Sequence, residues 1–496
     1  MGYFKKHLQF LILLVLGVAA FIRGVIFLDP DFGWHLQTGE LILQKGIPLT
    51  DPFSYTMPFY HFIDHEWLSD ILIAIGYKSI GIYGLALIFA LIFVLALFFI
   101  VPKQFKNYAA LPLALCGGLM LGFVGIRIQM ITWLFLALLL RVIFDENLWK
   151  KWKLVIPLLF IFWANLHGGF AIGILLLFLV FIFKSIQNRK FELGYFGVFL
   201  FSLLVTFLNP YGPMLWREVL LQATDGNLRW TIAEFAPGIF DTDIALLILF
   251  ALSFSFLFQY RLKIGGLKIF IYLLLLLMAL STLRHIPLWA LSAVFVTSAG
   301  IKLLTDEVKK NKYALERLKR LTKVLFVVIF LVFLFEVYTN ITGVFGLSEK
   351  NYYPAKAVVY IGKQNLADGN LFSLYDYGGY LIWKLPSKKV FIDGRMTSWK
   401  GDSALPNESN YIFKDYLKTL SDKNYFQQVI RKYNIHYVLL PVQPPESKQS
   451  PLAKKLTDIM QKLVLWKTNT AVLDSDLTKL GLKAIYNDGS FVIYKI

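Results

Sequence analysis

A polytopic α-helical membrane protein of about eleven spans with a C-terminal extracytoplasmic α/β soluble domain is the fold class the sequence predicts. Three observations carry that expectation. Of 496 residues, 57% are hydrophobic and 17% aromatic, and the mean hydropathy of +0.60 lies outside soluble globular usage. Lysine and arginine cluster in short segments that alternate with apolar runs. From about Thr339 the composition changes to that of a soluble domain of roughly 150 residues, a common domain size.

The apolar runs come in order. Lys5 and Lys6 precede a run from about Leu8 to Leu28. It is long enough to span and has no clear small-residue cleavage site before the polar loop that follows, so it reads as an uncleaved first helix rather than a signal peptide. Arg23 near its outer end is placed to snorkel. Leu68 to Ile80 reads as an amphipathic lead-in and Ile82 to Val101 as the second span. Further spans are expected at about Ala109–Gly125, Met130–Ile143, Leu154–Ala164, Phe170–Phe183, Tyr195–Leu208, Asp243–Gln259, Ile269–Leu283, Leu288–Ile301 and Val324–Tyr338. The fifth and sixth meet at Asn165-Leu-His167-Gly-Gly169, where a re-entrant hairpin is the alternative to two crossings.

The formal net charge of +18 reads as topology, because no nucleic-acid-binding motif accompanies it. Lys103 and Lys106, Lys150 to Lys153, Lys184 to Lys190, Arg261 to Lys268 and Lys302 to Lys323 fall on the side of Lys5 and Lys6, while the intervening loops are poor in lysine. The N-terminus is therefore expected in the cytoplasm, with the loop 29–67 and everything after Tyr338 outside it. The expected division is a transmembrane domain over 1–340 and a soluble domain over 341–496. In the latter, Pro354–Lys363, Tyr411–Leu420, Tyr425–Tyr433 and about Leu452–Leu463 read as helices. Leu371–Tyr375, Val390–Asp393 and His436–Leu440 read as strands, and a terminal hairpin turns at Asn487-Asp-Gly489. Cys116 is the single cysteine, which excludes an intramolecular disulfide. There is no internal repeat and no low-complexity segment.

The stretch from Asp29 to Trp67 holds three histidines, many carboxylates and one lysine, Lys45. Asp29-Pro-Asp31 sets two carboxylates at the exit of the first span, with His35 close behind. Such a pair can bind a divalent cation through oxygen, or supply one general base beside a partner that tunes it; it can also simply punctuate the helix exit. Asp64-His65-Glu66 precedes an apolar helix, where carboxylates either cap amide groups or serve a site. Arg127 and Gln129, and Arg284 and His285, fall near outer helix ends, as does His167. An arginine at that depth is costly unless it is paired or faces water, so an anionic partner such as a lipid phosphate competes with snorkelling as its explanation. Arg217, Glu218 and Glu234-Phe-Ala-Pro237 belong to a second outer loop. Tyr375-Asp-Tyr-Gly-Gly-Tyr380 and Val390-Phe-Ile-Asp-Gly-Arg395 place polar and glycine residues at expected strand ends, as either a ligand site or a turn with a structural Asp–Arg pair. Neither matches a phosphate loop or dinucleotide fingerprint.

An acidic first outer loop after the first span, many spans and a soluble C-terminal domain resemble the C-type (GT-C) glycosyltransferase superfamily. The stretches DPDFGWHLQTGELILQKGIPLTDPFSY, IDHEWL, WANLHGG, LNPYG and VFIDGR are similar to a group of bacterial polytopic membrane proteins associated with it. The resemblance implies a glycosyltransferase of the bacterial inner membrane. A sugar would move from a polyprenyl phosphate or diphosphate carrier to an acceptor on the outer face, with Asp31 or Asp29 as base or metal ligand. His35, Asp64, His65, Glu66, Arg127, Gln129, His167, Arg284 and His285 are the candidate substrate-binding residues, lipid-linked sugar and membrane lipids the expected partners, and a divalent cation the possible cofactor. No WWDYG-type acceptor motif is recognisable, which sets the chain apart from asparagine-linked transferases. A transporter or flippase of lipid-linked glycans and a non-catalytic envelope scaffold are the rival classes.

Overall fold

A computed structural model describes residues 2–226, 228, 232–241, 243–309, 311–364, 366, 369–401, 409–442 and 477–496. The chain forms two compact units that interleave along the sequence. One comprises Met1–Phe27, Gly76–Leu215 and Glu234–Gly346; the other comprises Leu28–Ile75, Trp216–Ala233 and Leu347–Ile496. A boundary at residue 340 therefore does not follow the packing, because the loop after the first helix folds with the C-terminal segment.

The first unit is helical. Among the described residues, five helices are long and apolar enough to cross a membrane: His7–Ile26, Trp67–Phe99, Phe170–Asn188, Leu283–Val308 and Leu315–Leu347. The six shorter apolar helices, Ala110–Leu121, Gln129–Ile143, Ile156–Leu166, Leu193–Val205, Ile244–Gln259 and Gly266–Ser281, are too short to meet that measure. Helix Ile286–Val308 is the unit's core, with every side chain from Ile286 to Gly300 buried. Helix Lys312–Gly343 instead exposes Val327, Leu331, Leu334 and Phe335. In an integral membrane protein, such a face meets lipid rather than water.

Trp67–Phe99 breaks at Gly81, whose φ of +63° suits glycine. That separates the expected lead-in from the expected span. Arg23 does not snorkel. It is buried and donates to the carbonyls of Val124 at 2.8 Å, Gly122 at 2.8 Å and Asn340 at 2.7 Å. The first two belong to the chain leaving helix Ala110–Leu121, whose terminal carbonyls lack helical partners. A guanidinium with several donors therefore closes a helix end in the interior, where an unpaired carbonyl would be costly.

The second unit contains a mixed sheet of strands β1 (Asn370–Ser373), β2 (Ile435–Pro441), β3 (Lys483–Asn487) and β4 (Phe491–Lys495), in the order β1-β2-β4-β3. β1 and β2 are parallel; the other pairs are antiparallel. The β3–β4 turn uses Gly489 at φ +83°. Helices Ala355–Lys363, Ile412–Ser421 and Lys423–Lys432 fall where expected, and the expected helix Leu452–Leu463 lies outside the described residues.

Val390–Asp393 is not a strand. Val390 makes a single parallel bridge to Ser54, and the chain then enters a 3-10 turn over Gly394–Ser398 because Asp393 accepts from Arg395 N–H. The loop after the first helix also contains a helix, Phe32–Lys45. It crosses helix Gly378–Lys384 backbone to backbone. A Cβ at Gly33 would strike the Gly379 carbonyl oxygen, and one at Gly379 would strike the Pro30 carbonyl oxygen. This close approach explains why DPDFG and YDYGGY carry glycine where they do.

Candidate functional site

The polar centre of the second unit is built by three stretches brought together: Asp29–His35, Asp51–Asp70 and Asp393–Arg395. Asp29 is buried, and its Oδ1 accepts the Asp31 N–H at 2.9 Å, forming a local turn at the helix entry. Asp31 is half-buried and accepts from Trp34 Nε1 at 2.9 Å. Gly394 packs directly on the Asp31 carboxylate, leaving no room there for a Cβ.

His35 is buried, with Nδ1 2.6 Å from Asp70 Oδ1 and Nε2 3.7 Å from Glu66 Oε2. Burial, then the charges of His65 and Arg395, hold its pKa well below the usual histidine value. The imidazole is therefore neutral, and its Nδ1 shares a hydrogen bond with the Asp70 carboxyl group. His65 is partly exposed, with Nε2 3.9 Å from Glu66 Oε1. Asp64 accepts the Glu66 N–H at 3.0 Å and shares a hydrogen bond with Asp70. Two carboxyl groups in that relation need a proton between them. Burial raises Asp64 to about 6, against the opposing pulls of Glu66 N–H, Asp70 and Arg395.

Arg395 closes the cluster. Its guanidinium lies 2.9 Å from Asp51 Oδ1 and 2.7 Å from Asp393 Oδ2. The rings of Phe53, Phe62 and Trp399 stand 5.0, 5.0 and 5.2 Å away. It is therefore the structural Asp–Arg pair rather than an anion receptor. Within this centre Asp31 is the half-buried carboxylate, whereas Asp29, Asp64 and Glu66 are buried in the network. Asp51 and Asp70 complete the network with Arg395, and neither carries a candidate role in the sequence. Asp70 could have been found from its spacing, one helical turn after Glu66 at a helix start.

The remaining candidates belong to the helical unit. Arg127 is ion-paired with Glu234 and packs on the Phe27 ring. Arg284 lies over Phe235 at 5.4 Å and also acts electrostatically on Glu234. Burial raises the Glu234 pKa, but Arg127 and then Arg284 outweigh it and hold the carboxyl below its usual value. His285 Nδ1 is 3.3 Å from the Met278 carbonyl. Gln129 starts helix Gln129–Ile143 without capping it. His167 ends helix Ile156–Leu166: its Nδ1 takes Gly169 N–H at 2.8 Å and lies 2.8 Å from Thr132 Oγ1, which accepts from Trp163 Nε1. His167 therefore stabilises the helix break.

The two carboxylates expected to bind a divalent cation are each engaged at one oxygen. Asp29 Oδ1 and Asp31 Oδ1 accept N–H groups. Among the described residues no three His, Cys, Asp or Glu side chains are grouped to hold a metal ion.

The chain shares its fold with solved structures of an archaeal oligosaccharyltransferase. It is similar to the archaeal oligosaccharyltransferase AglB from Archaeoglobus fulgidus in complex with an inhibitory peptide and a dolichol-phosphate. The TM-score is 0.60 at 12% identity, over 88% of this chain and 70% of that one. The Archaeoglobus fulgidus oligosaccharyltransferase tethered to an acceptor peptide containing the NVT sequon is similar at TM-score 0.57 and 12% identity, covering 89% and 70%. Its complex with zinc and sulfate is similar at 0.54 and 13%, covering 86% and 68%. No protein-family model matches the sequence, and no curated protein matches it.

Proposed function

We propose that this protein is a glycosyltransferase that moves a sugar from a polyprenyl phosphate or diphosphate to an acceptor hydroxyl on the outer face of the membrane. The observation that carries the reading is the GT-C fold, shared over 88% of the chain with an oligosaccharyltransferase whose structure holds a dolichol-phosphate. On this reading the N-terminus is cytoplasmic and the 29–67 segment and C-terminal domain are extracytoplasmic.

Asp31 is the general base. Its carboxylate takes the acceptor proton as the acceptor oxygen bonds to the anomeric carbon, and the bond from that carbon to the phosphate oxygen breaks. The lipid phosphate leaves with the electron pair. Within the helical unit, Arg127 and Arg284 are the residues we assign to binding a donor phosphate. Trp34 orients Asp31 through the indole N–H, while Asp29 holds the turn. The zinc in one of the similar structures keeps a divalent cation within the reading, and dependence of turnover on added cation after chelation tests it.

The experiment is release of free polyprenyl phosphate or diphosphate from a radiolabelled lipid-linked sugar pool by the purified full chain. Release that depends on acceptor-containing envelope extract supports transfer. Movement of intact lipid-linked sugar across vesicles without release would favour the transporter instead. In the same assay Arg127→Ala and Arg284→Ala are expected to raise the donor concentration needed for half-maximal rate more than they alter folding. Unchanged donor dependence in both variants returns these arginines to a structural role.

A further inference from the structure

The arginine cluster contains its own anion. Arg127 is ion-paired with Glu234, and Arg284 bears on the same carboxylate. Glu234 cannot easily leave, because its backbone is tied to the segment that carries Arg284. Leu283 N–H donates to Ala236 C=O at 2.8 Å. Four residues beyond Glu234, Gly238 lies so close to the Ala279 carbonyl that a Cβ would collide with it. Phe235, the next residue, provides the ring under the Arg284 guanidinium. The third guanidinium near Arg127 is Arg23, which is committed to the carbonyls of Val124, Gly122 and Asn340. The two arginines assigned to the donor phosphate thus work beside a fixed negative charge.

That charge acts unequally on different headgroups. A sugar linked through a phosphodiester carries one negative charge, and one linked through a diphosphate carries two. Repulsion from a fixed carboxylate scales with the ligand's charge, so it opposes the second about twice as strongly as the first. We propose that Glu234 is a charge filter of the donor site: it holds Arg127 in place and biases the two-arginine site toward a phosphodiester-linked sugar over a diphosphate-linked one. This rests on the reading that Arg127 and Arg284 bind the donor phosphate, and it names the donor class within that reading. Specificity here comes from a repulsive element built beside attractive ones.

The test uses the purified full chain in nanodiscs and two probes, farnesyl methyl phosphate with one charge and farnesyl methyl diphosphate with two, titrated at low salt. Glu234→Gln should move the ratio of the two dissociation constants toward the diphosphate by about tenfold. Glu234→Asp, which keeps the charge, should retain the wild-type ratio. A ratio that moves away from the diphosphate in Glu234→Gln overturns the filter. So does a ratio unmoved in Glu234→Gln while Arg127→Ala still weakens both probes, and in that case the arginine–phosphate reading survives. Binding of neither probe by the wild-type chain removes both.

Discussion

Replacing Arg395 by methionine tests the account of the second unit most severely. The side chain is 3% exposed and faces two carboxylates, Asp51 and Asp393, that are fully buried. Burial works against the charged guanidinium, but Asp393 and then Asp51 more than compensate and raise its pKa. Methionine fills much of the volume and keeps contact with Phe53, Phe62 and Trp399, so the loss isolates the charge. Removing one partner of a buried ion pair typically costs about 3–5 kcal/mol, because the charge left behind is uncompensated. For a unit of this size that corresponds to a fall in melting temperature of about 10 °C. The assay is thermal unfolding of the full chain followed by tryptophan fluorescence, since Trp34 and Trp399 are buried in this unit. Acidification, which neutralises the orphaned carboxylates, should return part of the loss, as should adding Asp51→Asn and Asp393→Asn. A variant that unfolds within about 1 kcal/mol of wild type, the range of an exposed pair, would refute the reasoning.

Gly379→Ala should disrupt the crossing of helices Phe32–Lys45 and Gly378–Lys384, because its Cβ would meet the Pro30 carbonyl oxygen. Overpacking of this kind costs about 1–3 kcal/mol or more, and faster proteolysis of the second unit is the readout. Asp64→Asn should change the pH dependence of stability. Asp64 sits at about 6 in the folded protein against an ordinary 3.8, so folding takes up a proton between those values. Its contribution is present in acid and lost as pH rises through 6. The Asn variant should therefore lack that fall, and an unchanged slope in unfolding curves from pH 4 to 7 would count against the assignment. His35 has the opposite sign: its depressed pKa gives stability above about pH 6.5 that is lost on acidification, so wild-type curves alone would mix the two.

Hydropathy located the helical segments well because each apolar run is bounded by polar or basic residues, and burial in lipid or protein makes the same demand on composition. Pairing was much less legible. Val390-Phe-Ile392 looks like a strand by content, yet only Val390 bridges, since Asp393 draws the chain into a turn. The helix Phe32–Lys45 was hidden inside a stretch read as loop, because Gly33 and Gly39 weaken its helical signal. Those glycines are there for close approach: Cβ atoms would strike the Gly379 carbonyl at one and the Asp70 carbonyl at the other. The acidic candidates were visible, but their division of labour was not. Nothing in Asp29-Pro-Asp31 or Asp64-His-Glu66 says which carboxylate is buried in a network and which stays half-exposed. That depends on Asp70, Asp51 and Arg395, distant in sequence from one another. Arg23 misled for a similar reason, since its carbonyl partners lie about a hundred and about three hundred residues away along the chain.

The central claim is that Asp31 is the base of a glycosyl transfer, and Asp31→Asn tests it most directly. Asparagine keeps the size of the side chain and can still accept from Trp34 Nε1, but it cannot take the acceptor's proton. The measurement is the rate of lipid phosphate release from a labelled lipid-linked sugar, on protein whose unfolding temperature matches wild type. General-base loss predicts a fall of about 100- to 10,000-fold for Asp31→Asn, with a smaller effect for Asp29→Asn acting through the turn. Release at the parental rate in both variants would contradict the account.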